Sequence, residues 1–206
     1  MRLPFAHLNL RRNPFGELPL TDRGKMAVPS INLESIIAQL EKPRFAVQFL
    51  GDKGRGKTTH LLALRVHFPE APYIHIGEQE PVPRIPRVPL VFLDEMQRIP
   101  PRQRKRLFKR NTSWVIGTHE DHQVEMERAG LEVHMHRFCG LDVEQLVTLA
   151  NRRISMVVRD IEQPVPVLDA SSAQRLIRLY SDDVRAIEGH LYDVFQNMRE
   201  VGYVKV

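Results

Sequence analysis

Eight consecutive residues, Gly51-Asp52-Lys53-Gly54-Arg55-Gly56-Lys57-Thr58, have the types and spacing of a phosphate cradle. They satisfy the pattern G-x-x-x-x-G-K-[ST]. The glycines allow a tight turn in which several backbone N–H groups converge on one anion. A helix opening at Lys57 adds its positive end at the same point. The Lys57 ammonium can reach β- and γ-phosphates, and the Thr58 hydroxyl offers a hard oxygen to Mg²⁺. Thr59 carries the cradle into the first helical turn. The apolar run Phe45–Leu50 before the loop and a helical pattern after it supply the strand–loop–helix context that the motif requires.

A second group lies further along, Leu90-Val91-Phe92-Leu93-Asp94-Glu95, an apolar run ending in two carboxylates. Asp94 is the expected Mg²⁺ aspartate, acting through water. Glu95 would orient and polarise an attacking water. A solvated acidic pair at a strand end is the plain alternative, and the neighbouring phosphate loop weighs against it. A carboxylate directly after the Mg²⁺ aspartate points to hydrolysis rather than transfer to a metabolite. The chain has no Asn-Lys-x-Asp guanine motif, so ATP is expected rather than GTP.

The elements that must position these groups follow from periodicity. Leu33, Ile36, Ile37 and Leu40 fall at helical spacing and predict a helix over 31–41, stopped by Pro43. Strands are predicted at 45–50, 73–76, 88–93, 114–116 and 131–135, with helices at 58–68 and 101–110. Strands alternating with helices predict an α/β fold, a five-stranded parallel sheet covered on both faces. Between the second and third strands, Pro81, Pro83, Pro86 and Pro89 exclude a normal helix and predict an extended, polyproline-like crossover. After residue 140 the pattern is helical. Leu146, Leu149, Ala150 and Ile154 make one face, Ser171 and Gln174 form a capping-box signature, and Val184, Ile187, Leu191, Val194 and Met198 form a stripe. The expected organisation is an irregular N-terminal arm (1–30), a core (31–140) and a small helical lid (141–206).

Taken together, these residues resemble an AAA+ P-loop ATPase, and the later part is similar to the bacterial replication initiator and its relatives. Trp114-Val115-Ile116-Gly117-Thr118-His119 resembles the fourth strand of that family, which implies a sensor role for Thr118, with His119 next. Arg128-Ala129-Gly130-Leu131-Glu132-Val133 resembles the segment that carries an arginine finger, which implies Arg128, with Arg137 as a rival. Asp183-Val184-Arg185-Ala186-Ile187-Glu188-Gly189 is similar to the lid-helix motif and implies Arg185 as a second sensor. Asn13-Pro14-Phe15-Gly16 resembles the N-terminal motif near the adenine, which implies Pro14 and Phe15 as nucleotide contacts. The resemblance spans most of residues 11–200. Two departures stand out: the proline crossover leaves no room for the family's second helix, which weighs against a threading unfoldase, and no separate DNA-binding domain follows the lid, unlike the initiator.

The resemblance implies a regulatory or remodelling ATPase acting through oligomer assembly or as a partner ATPase's subunit. The nearest looks are helper ATPases of transposition, secretion or replication machinery. ATP would lie between subunits, completed by a neighbour's arginine. A non-hydrolysing ATP switch and a small-molecule kinase are the competing readings, and Glu95 with the sensor-like arginines weighs against the kinase.

Composition narrows the setting. The net charge is +5, and seven basic residues with no acidic one lie between Arg98 and Arg110. That run has three readings: a solvated helix face, a DNA-backbone contact or a dock for an acidic protein. The pairs His119/His122 and His134/His136 lack the carboxylate or cysteine grouping of a zinc site. The single cysteine, Cys139, excludes an internal disulfide and reads as a small buried apolar residue. No stretch is long and apolar enough to span a membrane, and the N-terminus lacks the order of a signal peptide. A cytoplasmic protein is the expectation.

Overall fold

The computed structural model describes residues 4–17, 19, 24, 33–138 and 140–206. The expectation for Cys139 falls outside these residues. The chain divides into two compact units, one of Leu20–Cys139 and one of Met1–Pro19 with Gly140–Val206.

The first unit is α/β. Strands β1 (Phe45–Leu50), β2 (Tyr73–His75), β3 (Leu90–Asp94), β4 (Ser113–Thr118) and β5 (Glu132–Arg137) form one sheet in the order β2-β3-β4-β1-β5. Every neighbouring pair is parallel. β1, β3 and β4 are buried along their whole length, as strands covered on both faces must be. Alternate residues then serve two separate cores. Phe45, Val47, Phe49, Phe92 and Val115 pack beneath α1 (Leu33–Leu40) and α2 (Lys57–Arg65) through Ile36, Leu40, Leu61 and Leu64. Ala46, Val91, Leu93, Trp114 and Ile116 pack on the other face with Leu107 and Phe108 of α3 (Pro101–Phe108) and Met126 of α4 (Gln123–Arg128). Each large side chain so buried contributes about 2 kcal/mol. The edge strand β5 is only half-buried, and β2 has just three residues.

The crossover between β2 and β3 has no regular hydrogen-bonded structure, as its prolines require. Val82, Ile85 and Val88 nevertheless face the second core. Their three-residue spacing is the repeat of a polyproline helix.

The second unit holds α5 (Val143–Met156), α6 (Ala170–Tyr180) and α7 (Val184–Asn197). Leu146, Ala150, Ile154, Leu176, Ile187, Leu191 and Phe195 form its core. Of the expected arm 1–30, the structure describes residues 4–17, 19 and 24. Leu8, Leu10 and Phe15 belong to this same core, and Leu10 bridges Val158. Isolated apolar residues in a Pro- and Gly-rich stretch carry no period, so their destination was hidden. The capping box expected at Ser171 and Gln174 is also displaced. Asp169 caps α6 by accepting from the Ser172 N–H, and the true box joins Asp142 to Gln145 at α5. Asp at the earlier position outcompetes Ser because its carboxylate accepts from both Ser172 N–H and the Ser171 hydroxyl. Among the described residues, no helix is long and apolar enough to cross a membrane.

Candidate functional site

The carboxyl edge of the sheet gathers the expected chemistry. β1 ends at Leu50, the loop 51–56 follows, and α2 starts at Lys57. Gly54 (φ 89°) and Gly56 (φ 85°) adopt the left-handed backbone that glycine tolerates best. Gly56 is the N-cap of α2 and places no side chain over the first-turn N–H groups. That helix end is therefore open to an anion from the loop side. Lys57 is buried, and its ammonium donates to the Gly51 and Asp52 carbonyls, both at 2.8 Å. Arg55 pairs with Asp52 at 3.1 Å and donates to the Phe138 carbonyl at 3.3 Å, fixing the outer wall of the loop. Lys53 is exposed at the tip, and Thr59 is half-buried in the first turn of α2.

Asp94 terminates β3 beside the loop. Its Oδ2 accepts from the Thr58 hydroxyl at 2.8 Å and from the Tyr73 hydroxyl at 3.0 Å, with His75 Nδ1 at 3.5 Å. Its Oδ1 is buried without a hydrogen-bond partner. A Cβ at Gly117 would stand 2.6 Å from that oxygen, so only glycine on β4 leaves room for it. Two hard oxygen donors, one hydroxyl and one carboxylate with an orphan oxygen, fit Mg²⁺. That ion takes few protein ligands and keeps the rest of its shell for water and phosphate. Tyr73 and His75 were legible only as strand residues. The parallel register that sets His75 opposite Asp94 brings them here.

Glu95 follows in a left-handed backbone conformation (φ 62°, ψ 41°), which is strained for a side chain other than glycine. The turn swings its carboxylate to the loop side of β3. There Oε2 accepts from Gln97 Nε2 at 2.7 Å and lies 3.3 Å from Arg98 and 3.5 Å from His119. Burial pushes the Glu95 carboxyl up, but the Gln97 hydrogen bond and the charges of His119, Arg98 and Lys57 outweigh it, leaving the group below its ordinary value. Glu95 is thus held ionised. His119 Nε2 also lies 3.4 Å from Lys57 Nζ. In one tautomer this nitrogen accepts from Lys57, and in the other it donates to Glu95. Thr118, expected as the sensor, is fully buried. Its hydroxyl is engaged with the backbone of Glu120, donating to the carbonyl and accepting the N–H, both at 3.1 Å. At the end of β4 it is His119 that bridges Lys57 and Glu95.

The remaining expected residues fall elsewhere. Arg137 ends β5 opposite Leu50, on the loop side of the sheet, and pairs with Asp121 at 3.4 Å. Arg128 is exposed at the far end of α4. The turn after it is tied down by Arg44, which donates to the carbonyls of Ala129, Gly130 and Arg110. Since β5 starts opposite Phe45, Arg128 stands at the amino edge of the sheet, about a strand length from the loop. Arg185 is exposed in the first turn of α7, whose cap Asp183 accepts its N–H at 3.0 Å. Pro14 and Phe15 are buried in the helical unit. The Phe15 ring packs on Phe195 at 5.3 Å beneath the Arg153 guanidinium, which also donates to the Pro14 and Gly16 carbonyls. That ring is taken up by packing.

The basic run 98–110 is not one surface. Arg98 donates to the Ile76 carbonyl at 2.6 Å and faces Glu95. Arg104 is buried, bonded to the Ile99 carbonyl and paired with Glu125 at 3.1 Å. Arg110 donates to the Ile85 carbonyl at 3.1 Å. Three of the seven cations therefore hold the turn after Glu95, α3 and the crossover in place. Comparison with protein-family models and with curated proteins finds no match for this chain.

Proposed function

We propose that this chain is an ATP-binding and ATP-hydrolysing protein of the AAA+ kind, working with Mg²⁺ and through assembly with further subunits. The observation that carries the reading is the meeting of four side chains at one sheet edge. Thr58 and Asp94 are joined at 2.8 Å, and Lys57 and Glu95 are linked through His119. The loop N–H groups and the open end of α2 bind phosphate oxygens, and Lys57 adds a point charge. Thr58 and Asp94 hold the Mg²⁺, with Tyr73 orienting the carboxylate. Bound Mg²⁺ supplies neutralisation of phosphate charge. Glu95, kept ionised by its neighbours, accepts the proton of the attacking water. His119 Nε2 lies between Lys57 and Glu95 and can accept from the one or donate to the other. Arg128 serves a neighbouring subunit, and a protein partner reads the assembly.

Titration calorimetry with ATP and Mg²⁺ tests the site. Lys57→Ala is expected to abolish binding with an unchanged circular dichroism spectrum. Unaltered affinity in that variant would remove the assignment.

A further inference from the structure

Between Pro81 and Arg110 the only acidic residues are Asp94 and Glu95, both inside the site just described. Nine cations lie in the same stretch, and Arg98, Arg104 and Arg110 are engaged internally. The other six, Arg84, Arg87, Arg102, Lys105, Arg106 and Lys109, are exposed. None of the six makes a side-chain hydrogen bond or ion pair among the described residues.

Their arrangement follows from two periodicities. On α3, Arg104, Leu107 and Phe108 are buried. Arg102, Lys105, Arg106 and Lys109, at i, i+3, i+4 and i+7, therefore form a single stripe on the opposite side. On the crossover, Val82, Ile85 and Val88 face inward, and Arg84 and Arg87 occupy another ridge of the same three-residue repeat. Both segments pack on the same core and so cover the same face of the sheet. Arg110 joins them by donating to the Ile85 and Pro86 carbonyls at 3.1 and 3.4 Å. A shallow depression of about 540 Å³, lined by Arg87, Val88, Pro89, Arg110, Asn111 and Thr112, lies where the two meet. Burial and the like charge of Arg87 lower the Arg110 guanidinium from its ordinary value. Six like charges on one face, with no acidic side chain paired to them among the described residues, suit an anionic partner.

We propose that this face binds the phosphate backbone of duplex DNA without reading its sequence. Cations on two adjacent ridges suit a polyanion, since phosphate contacts need clustered Arg and Lys and no particular base. Neither 81–89 nor 101–109 exposes an aromatic ring on which an unpaired base would stack. The two cationic ridges themselves carry no Ser, Thr or Asn to meet a ribose 2′-hydroxyl, with Gln103 half-buried and Asn111 set in the depression between them, which favours DNA over RNA. The inference does not rest on the nucleotide site, and its test omits nucleotide.

The experiment is fluorescence anisotropy of the full chain with a labelled 20-base-pair DNA duplex across a salt series. With four to six phosphates neutralised, the log–log salt slope falls between about −3.6 and −5.4. Affinity then drops roughly 150- to 1,800-fold when salt rises fourfold. The variant Arg102→Ala/Lys105→Ala/Arg106→Ala/Lys109→Ala should flatten the slope by about 3.6, and Arg84→Ala/Arg87→Ala by about 1.8. Arg178→Ala/Arg199→Ala, which removes two exposed charges from the helical unit, should leave it unchanged. The proposal is overturned by an absence of duplex binding at 50 mM salt (set by the assay), by a slope that survives the fourfold variant, or by an equal effect of the control pair. Tighter binding to the corresponding single strand or RNA duplex overturns it as well.

Discussion

At the scale of single residues, the site is a set of carboxylate geometries. Glu95 is placed by a strained backbone and by three donors that favour its charged form. Glu95→Gln keeps the shape and the hydrogen-bonding capacity but cannot accept a proton. ATP affinity should be retained, and turnover should fall by about 10²-fold or more, measured as phosphate release. If the wild-type chain releases no phosphate at any protein concentration, the reading as a non-hydrolysing switch replaces hydrolysis. Gly117 is a sharper probe of the metal position. Its Cβ would meet Asp94 Oδ1 at 2.6 Å, and Asp94 is already tethered by Thr58 and Tyr73. Gly117→Ala should displace that carboxylate and weaken Mg²⁺-dependent ATP affinity by about tenfold, roughly 1.4 kcal/mol. Affinity measured in a chelator should not change. Equal losses with and without metal would mean that the loop, not Asp94, was disturbed. The strand–loop–helix motif made Lys57 and Thr58 legible in the sequence, and the apolar run 90–93 ending in two carboxylates did so for Asp94 and Glu95. Gln97, Arg98, Tyr73 and His75 were not, because a hydrogen-bond partner has no signature of its own until its register is known.

At the scale of elements, β5 carries a titratable aromatic patch. His136 packs edge-on against Phe138 at 4.7 Å and Phe49 at 6.3 Å, and stacks on His60 of α2 at 6.2 Å. Burial, then the charge of His134, lowers the His136 pKa below 6.5. A base with a lowered folded pKa binds fewer protons folded than unfolded, so stability declines as pH falls through 6.5 toward the folded value. The carboxylates act at lower pH, since Glu95 is held below 4.5. His136→Phe should therefore shrink the loss of thermal midpoint between pH 7.5 and pH 5.5, while His60 and His122, also lowered by burial, keep part of that loss in place. Fluorescence of Trp114, the single tryptophan, reads unfolding of this unit. An identical loss in both proteins would remove His136 as a cause. The same scale explains α3. Periodicity identified a basic helix, but only packing separates Arg104, which braces the turn after Glu95, from the outward stripe.

At the scale of the molecule, the two candidate finger arginines are separated by the sheet. Arg137 lies on the loop side, beside Leu50, and can act on its own chain's site. Arg128 lies at the other end of a six-residue strand, about 16 Å away, beyond the reach of an arginine side chain. If Arg128 acts, it acts on a neighbouring subunit. Mixing Arg128→Ala with Lys57→Ala protein should then restore turnover at shared sites, where an arginine supplied in trans raises the rate by about 10³-fold or more. Turnover of the wild-type chain should rise more steeply than in proportion to its concentration. No rescue at high concentration, with activity lost in Arg137→Ala, would assign the role to Arg137 in cis.

The sequence by itself determined the alternation of strands and helices, the glycine loop and the acidic strand end. Each of these is written locally: continuous apolar runs for the strands, apolar residues three to four apart for the helices, glycines where φ turns positive, and prolines where a helix cannot form. It located β1 to the residue, because a six-residue apolar run rich in β-formers lies between Pro43 and the glycine loop, too short for a helix. Tertiary structure alone decided which polar groups meet. The order β2-β3-β4-β1-β5 puts Tyr73 on Asp94 and His119 between Lys57 and Glu95, residues up to 62 positions apart. It also drew Leu8, Leu10 and Phe15 into the helical core and buried Arg104. Contacts between distant segments depend on strand order and on which face a helix turns inward, and neither has a local period.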